Sequence, residues 1–101
     1  MSTREEKRRD LRTRITEAAE ARIKVSGVET LRARDVMGDV GAALGGLYNA
    51  FDDLDDVIVH VNSQTLARLK AVLGRALSEA DDPRSALKAL ASTYLRFAQD
   101  N

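Results

Sequence analysis

The stretch Ala33-Arg34-Asp35-Val36-Met37-Gly38-Asp39-Val40-Gly41-Ala42-Ala43-Leu44-Gly45-Gly46-Leu47-Tyr48-Asn49-Ala50-Phe51 holds two short helical patterns around a glycine. Val36, Met37 and Val40 fall on one side of a helix over about 33–40. Leu44, Leu47, Tyr48 and Phe51 mark a second over about 43–50. Gly41-Ala42 separates them, and a glycine lets the backbone turn sharply without a Cβ clash. Two short helices on a tight turn make the layout of a helix-turn-helix. In such a unit the first helix braces the second, which enters the major groove of DNA.

Three longer helices flank this unit. Leu11, Ile15, Ala18, Ala19, Arg22 and Ile23 recur at three- and four-residue steps, which predicts a helix over about 5–25 that stops at Gly27. Asp53 is a good N-cap for a helix over about 54–79, with Asp55 and Asp56 in its first turn. Asp82-Pro83 opens a last helix over about 84–99, with proline at the first helical position. The expected fold class is all-α: a three-helix, homeodomain-like helix-turn-helix head, a long helix, and the start of a helical second domain. The core of the head is expected to contain Ile15, Ala19, Ile23, Leu31, Val36, Val40, Leu47 and Phe51.

Composition narrows the function. The 101 residues are 44% hydrophobic and 32% charged, which suits one globular domain. Without cysteine, disulfides and thiolate metal sites are excluded. No apolar run reaches the roughly 18 residues of a membrane span. The charged start lacks the apolar core of a signal peptide, so a cytoplasmic location is expected. His60 is the only histidine and serves as an ordinary helix residue. No nucleophile pattern is visible, so neither an enzyme nor a cofactor is expected. Asp52, Asp53, Asp55 and Asp56 lack the spacing of a calcium loop and read as helix caps.

The formal net charge is zero, but the charges are segregated. Residues 1–34 hold ten Lys or Arg against six acids, whereas residues 35–67 hold six aspartates and no Lys or Arg. The basic front is a solvated face or a surface for phosphates.

A wider pattern adds to this. Ile15-Thr16-Glu17-Ala18-Ala19, Gly27, Arg34-Asp35-Val36-Met37, Gly41, Gly45-Gly46-Leu47-Tyr48-Asn49-Ala50-Phe51 and Leu54 to Val57 together resemble the N-terminal domain of the tetracycline-repressor (TetR) family of bacterial regulators. The likeness covers about residues 11–60. Tyr94-Leu95-Arg96-Phe97-Ala98 is similar to the start of that family's ligand-binding domain. The resemblance implies a basic arm over 1–10, a DNA-binding domain over 11–60 and a ligand-binding and dimerisation domain beginning at 61. The partners implied are double-stranded operator DNA, a second copy of the full-length chain and a small-molecule effector. Leu44, Gly45, Gly46, Tyr48 and Asn49 would lie on the recognition helix or its entry. Tyr48 would touch a phosphate while its ring packs inward, and Phe51 would lock the recognition helix onto the long helix. Gly45 and Gly46 would let the backbone approach the groove. Asn49 would read a base edge, and Leu44 would meet a thymine methyl. Arg8, Arg9, Arg12, Arg32 and Arg34 would supply the positive charge.

The chain departs from the family at several places. Ala43 stands where a hydroxyl cap is common, Leu44 where a lysine or other polar residue is common, Gly46 for threonine, Ala50 for histidine, and Leu54 for a phosphate-gripping lysine. These departures and the acidic middle motivate a rival reading, a helical interaction module that keeps the fold without the DNA. The helical pattern reaches Gln99-Asp100-Asn101 with no glycine or proline to end it, which suggests a fragment or a truncated product.

Overall fold

The computed structural model describes residues 3–101. The chain is all-α, with no strand among those residues. Its helices are α1 (Arg4–Ser26), α2 (Ala33–Val40), α3 (Gly45–Ala50), α4 (Leu54–Ser78) and α5 (Pro83–Asp100). A short 3₁₀ turn, Val28–Thr30, lies between α1 and α2. It has no signature in the apolar pattern. The chain divides into two compact units at 62/63.

In the first unit, helix ends are fixed by residues visible in the sequence. Thr3 caps α1 by accepting from the Glu6 N–H at 3.1 Å. Gly41 ends α2 at φ 81°, the left-handed region where a Cβ is disfavoured. Around it, the Ala42 N–H donates to the Met37 carbonyl at 3.2 Å and the Gly41 N–H to the Gly38 carbonyl at 3.2 Å. This pair of bonds is a Schellman end, and it satisfies carbonyls that the helix leaves open. Asp53 starts α4 by accepting from the Asp56 N–H at 2.8 Å, while Asp56 accepts from the Asp52 N–H at 3.0 Å. Two of the four clustered aspartates are therefore caps, as their order predicts.

α3 begins at Gly45, two residues later than the pattern suggests. Ala43 has no side-chain oxygen to cap the helix. The first turn is tightened instead by short bonds from Gly46 N–H to Ala43 carbonyl and from Leu47 N–H to Leu44 carbonyl.

The core of this unit is Ile15 and Ala19 from α1, Leu31, Val36, Met37 and Val40, Leu47, Ala50 and Phe51, and Val57 and Val61 from α4. Seven of the eight expected core residues are buried. Ile23 is only partly so. Met37, Ala50, Val57 and Val61 complete it. Each buried leucine or isoleucine contributes on the order of 2 kcal/mol. Thr16 is the one buried polar residue among those described, and its hydroxyl donates to the Arg12 carbonyl at 2.7 Å.

The second unit is a helical hairpin of residues 63–101. Asp82 caps α5 by accepting from the Ser85 N–H at 2.8 Å, with Pro83 in the first turn. No residue of α5 is fully buried. One face carries an apolar groove lined by Leu66, Leu69, Leu73 and Leu77 of α4 and Leu90 of α5. Another groove between the two helices carries Arg75, Glu79 and Arg96 beside Val72 and Phe97. No described helix is long and apolar enough to cross a membrane.

Candidate nucleic-acid interface

α3 is six residues long and two-sided. Leu47 and Ala50 are fully buried and Phe51, just past its end, is 3% exposed. Leu44, Gly45, Tyr48 and Asn49 are exposed. A helix this short has no stability of its own, and its buried side and its end contacts must hold it in place.

Those contacts come from α1. Arg12 Nη1 donates to the Ala50 carbonyl at 2.5 Å, and its guanidinium lies 4.2 Å from the Phe51 ring centroid. Arg8 donates from Nε to the Asn49 carbonyl at 3.2 Å and from Nη2 to the Ala50 carbonyl at 3.5 Å. Two cations thus sit on the last carbonyls of α3, where the helix dipole is negative. Phe51 also meets His60 of α4, with ring centroids 5.6 Å apart. α2 is held the same way. Arg14 Nη2 donates to the Val40 carbonyl at 2.6 Å. Arg22 makes a two-pronged pair with Asp39, at 2.5 and 2.9 Å. The Arg22 hydrogen bonds hold the Asp39 carboxyl below the ordinary carboxylate range. Of the acid-only segment, Asp35 and Asp39 find their countercharge in Arg22 of α1.

The geometry places each of the expected site residues and corrects two, Tyr48 and Gly46. Residues 4–10 of the expected basic arm are the first turns of α1, and residues 1–2 lie outside the described residues. Arg8 and Arg12 are engaged with α3. Tyr48 is 57% exposed, so its ring does not pack inward, and of the two aromatic residues only Phe51 lies in the core. The reason is helical phase: Leu47 and Ala50 take the buried side, and Tyr48 falls beside Asn49 outside it. Gly46 does not face outward. A Cβ there would come within 3.2 Å of the Met37 methyl and 3.7 Å of Leu11, so this glycine serves packing inside the unit. Gly45 is open, with nothing within 4 Å of a Cβ.

The remaining basic residues are differently placed. Arg9, Arg32 and Arg34 are exposed, and their side chains make no hydrogen bond or ion pair among the described residues. Arg32 precedes α2 and Arg34 lies in its first turn. Cations at that end oppose the helix dipole, so they do not serve the helix. Arg4 and Lys7, which the sequence offers only as part of the basic arm, line a groove of about 470 Å³ with Arg8, Leu11 and Asn49. Spacing of three and four residues puts these α1 side chains on one face, but nothing local places Asn49 beside them. Among the described residues no three His, Cys, Asp or Glu side chains form a group that could hold a metal. No protein-family model matches the chain, and no curated protein is similar enough to it to be matched.

Proposed function

We propose that the chain is a DNA-binding transcriptional regulator of the TetR type, with α3 as its recognition helix. The observation that carries this reading is the pairing of α2 and α3 through the left-handed Gly41, with Leu44, Tyr48 and Asn49 exposed along α3. A short helix whose one side is buried and whose other side is free suits insertion into a major groove. Asn49 can accept from and donate to an adenine edge, and Leu44 can meet a thymine methyl. The free cations Arg9, Arg32 and Arg34 suit backbone phosphates. On this reading the protein acts in the cytoplasm as a homodimer on a two-fold operator. A small-molecule effector modulates it, most simply as a repressor.

A second reading has its own observation. Asp52, Asp53 and Asp55 are exposed at the start of α4, close in sequence to α3, and Leu54 offers no charge. Acid at that place repels phosphate, which favours a helical interaction module without DNA.

Selection from randomised DNA duplexes separates the two. The regulator enriches a defined motif, and Asn49→Ala loses preference at one position of it while retaining general affinity. An interaction module enriches nothing.

A further inference from the structure

We propose that two pairs of cations near the start of α1 have different roles. Arg8 and Arg12 position α3, whereas Arg4 and Lys7, in the groove beside Asn49, hold one DNA backbone phosphate. The inference rests on the DNA-binding reading and assigns a phosphate site within it.

The division follows from what each side chain touches. Arg12 is committed twice, by its hydrogen bond to the Ala50 carbonyl and by its stacking over Phe51. Arg8 is committed to the Asn49 and Ala50 carbonyls. Moving either guanidinium to a phosphate would uncover the negative end of α3. The side chains of Arg4 and Lys7 make no hydrogen bond or ion pair among the described residues, yet they line the same groove as Asn49. Leu11 forms part of its wall. The positive groove therefore adjoins the one exposed side chain of α3 suited to read a base. A phosphate seated there would lie beside Asn49, so one contact would help to fix the register of the other.

The two roles differ in what lysine can replace. A phosphate contact needs charge, and lysine supplies it as a point cation. The Arg12 role needs a flat guanidinium that stacks on a ring while donating sideways, and lysine cannot do this.

The test is a titration of a fluorescent random-sequence duplex at several salt concentrations, because phosphate contacts are read without regard to sequence. The proteins are the parent, Arg4→Gln/Lys7→Gln, Arg12→Lys and Arg12→Met, each checked for folding by NMR. The double variant is expected to keep its fold and to lose about 1 from the slope of log affinity against log salt. Arg12→Met and Arg12→Lys are expected to weaken binding alike, to shift the Asn49, Ala50 and Phe51 amide signals, and to keep the parent slope. An unchanged slope for the double variant overturns the phosphate site and leaves the DNA reading standing. Full rescue by Arg12→Lys, with a lowered slope only in Arg12→Met, makes Arg12 a phosphate ligand and overturns the division. Inorganic phosphate, beyond the effect of chloride at equal ionic strength, is expected to displace DNA from the parent more than from the double variant, and equal displacement overturns the phosphate site. A parent that binds no duplex at any salt removes both this inference and the reading beneath it.

Discussion

The guanidinium of Arg12 lies over the ring of Phe51, 4.2 Å from its centroid, and donates to the carbonyl of Ala50 beside it. One side chain of α1 therefore holds both the end of α3 and the aromatic residue that follows it. The sequence separation is 38 residues for the hydrogen bond. α3 is placed by α1 as much as by its own apolar side.

Phe51 is the residue on which this placement depends most. It is almost wholly buried and meets Arg12 on α1 and His60 on α4. Phe51→Ala is expected to cost about 3–5 kcal/mol of stability by denaturant melting, from lost transfer energy and the cavity left behind. A loss under about 1 kcal/mol would mean that the ring is not the keystone of the first unit.

Two glycines near the turn should behave in opposite ways. Gly41 has φ 81°, and Gly41→Ala forces a Cβ into the left-handed region at a cost of about 1–2 kcal/mol. Gly45 is helical, and a Cβ there meets open space. Gly45→Ala should be neutral or stabilising by up to about 1 kcal/mol. Thermal melting of the two variants checks the pair. Equal destabilisation would contradict the turn geometry.

Acid should loosen the contact between α1 and α2. Arg22, by hydrogen bonding, holds the Asp39 carboxyl below its ordinary value. Backbone donation from Ser85 does the same for Asp82 at the start of α5. A carboxyl lowered in the folded state stabilises fully above the ordinary carboxylate range, and this is lost as pH falls through the folded value. Melting temperature should therefore drop below about pH 4. Asp39→Asn should be less stable than the parent at neutral pH and should lose less on acidification. An Asp39→Asn profile parallel to the parent's would show that the pair does not contribute.

The two units should differ in amide exchange. The first has a buried core that joins four helices, whereas α5 buries no residue fully and exposes Leu87, Tyr94 and Leu95. Slow amides are expected within about 11–61, and α5 should exchange through local opening. Protection in α5 equal to that in α1, with a monomeric chain, would contradict this difference.

Much of this fold was legible in the residues because the signals are local. Asp53 and Asp82-Pro83 mark helix starts by their chemistry, and Gly41 marks a turn by its lack of a Cβ. The apolar period places Ile15, Ala19, Val36 and Leu47 in the core. What escaped depends on distant partners or on helical phase. Arg8 and Arg12 look like any basic run until α3 is folded against them. Tyr48 and Phe51 share a helical spacing, yet only Phe51 is buried, because Leu47 and Ala50 already fill the inner side. Gly46 reads as a clearance for DNA but is a clearance for Met37. Of the candidate interface, the exposed Asn49, Arg9, Arg32 and Arg34 stand out in the sequence, whereas Arg4 and Lys7 emerge only from the groove they share with Asn49.

Whether α3 is a recognition helix is decided by a competition titration of the parent chain at several salt concentrations. Its two duplexes are the motif enriched by selection and a scrambled duplex of the same composition. A recognition helix requires affinity that falls steeply as salt rises, and a preference for the motif on the order of tenfold or more. No binding at low salt, or equal binding to both duplexes, would contradict α3 as a recognition helix.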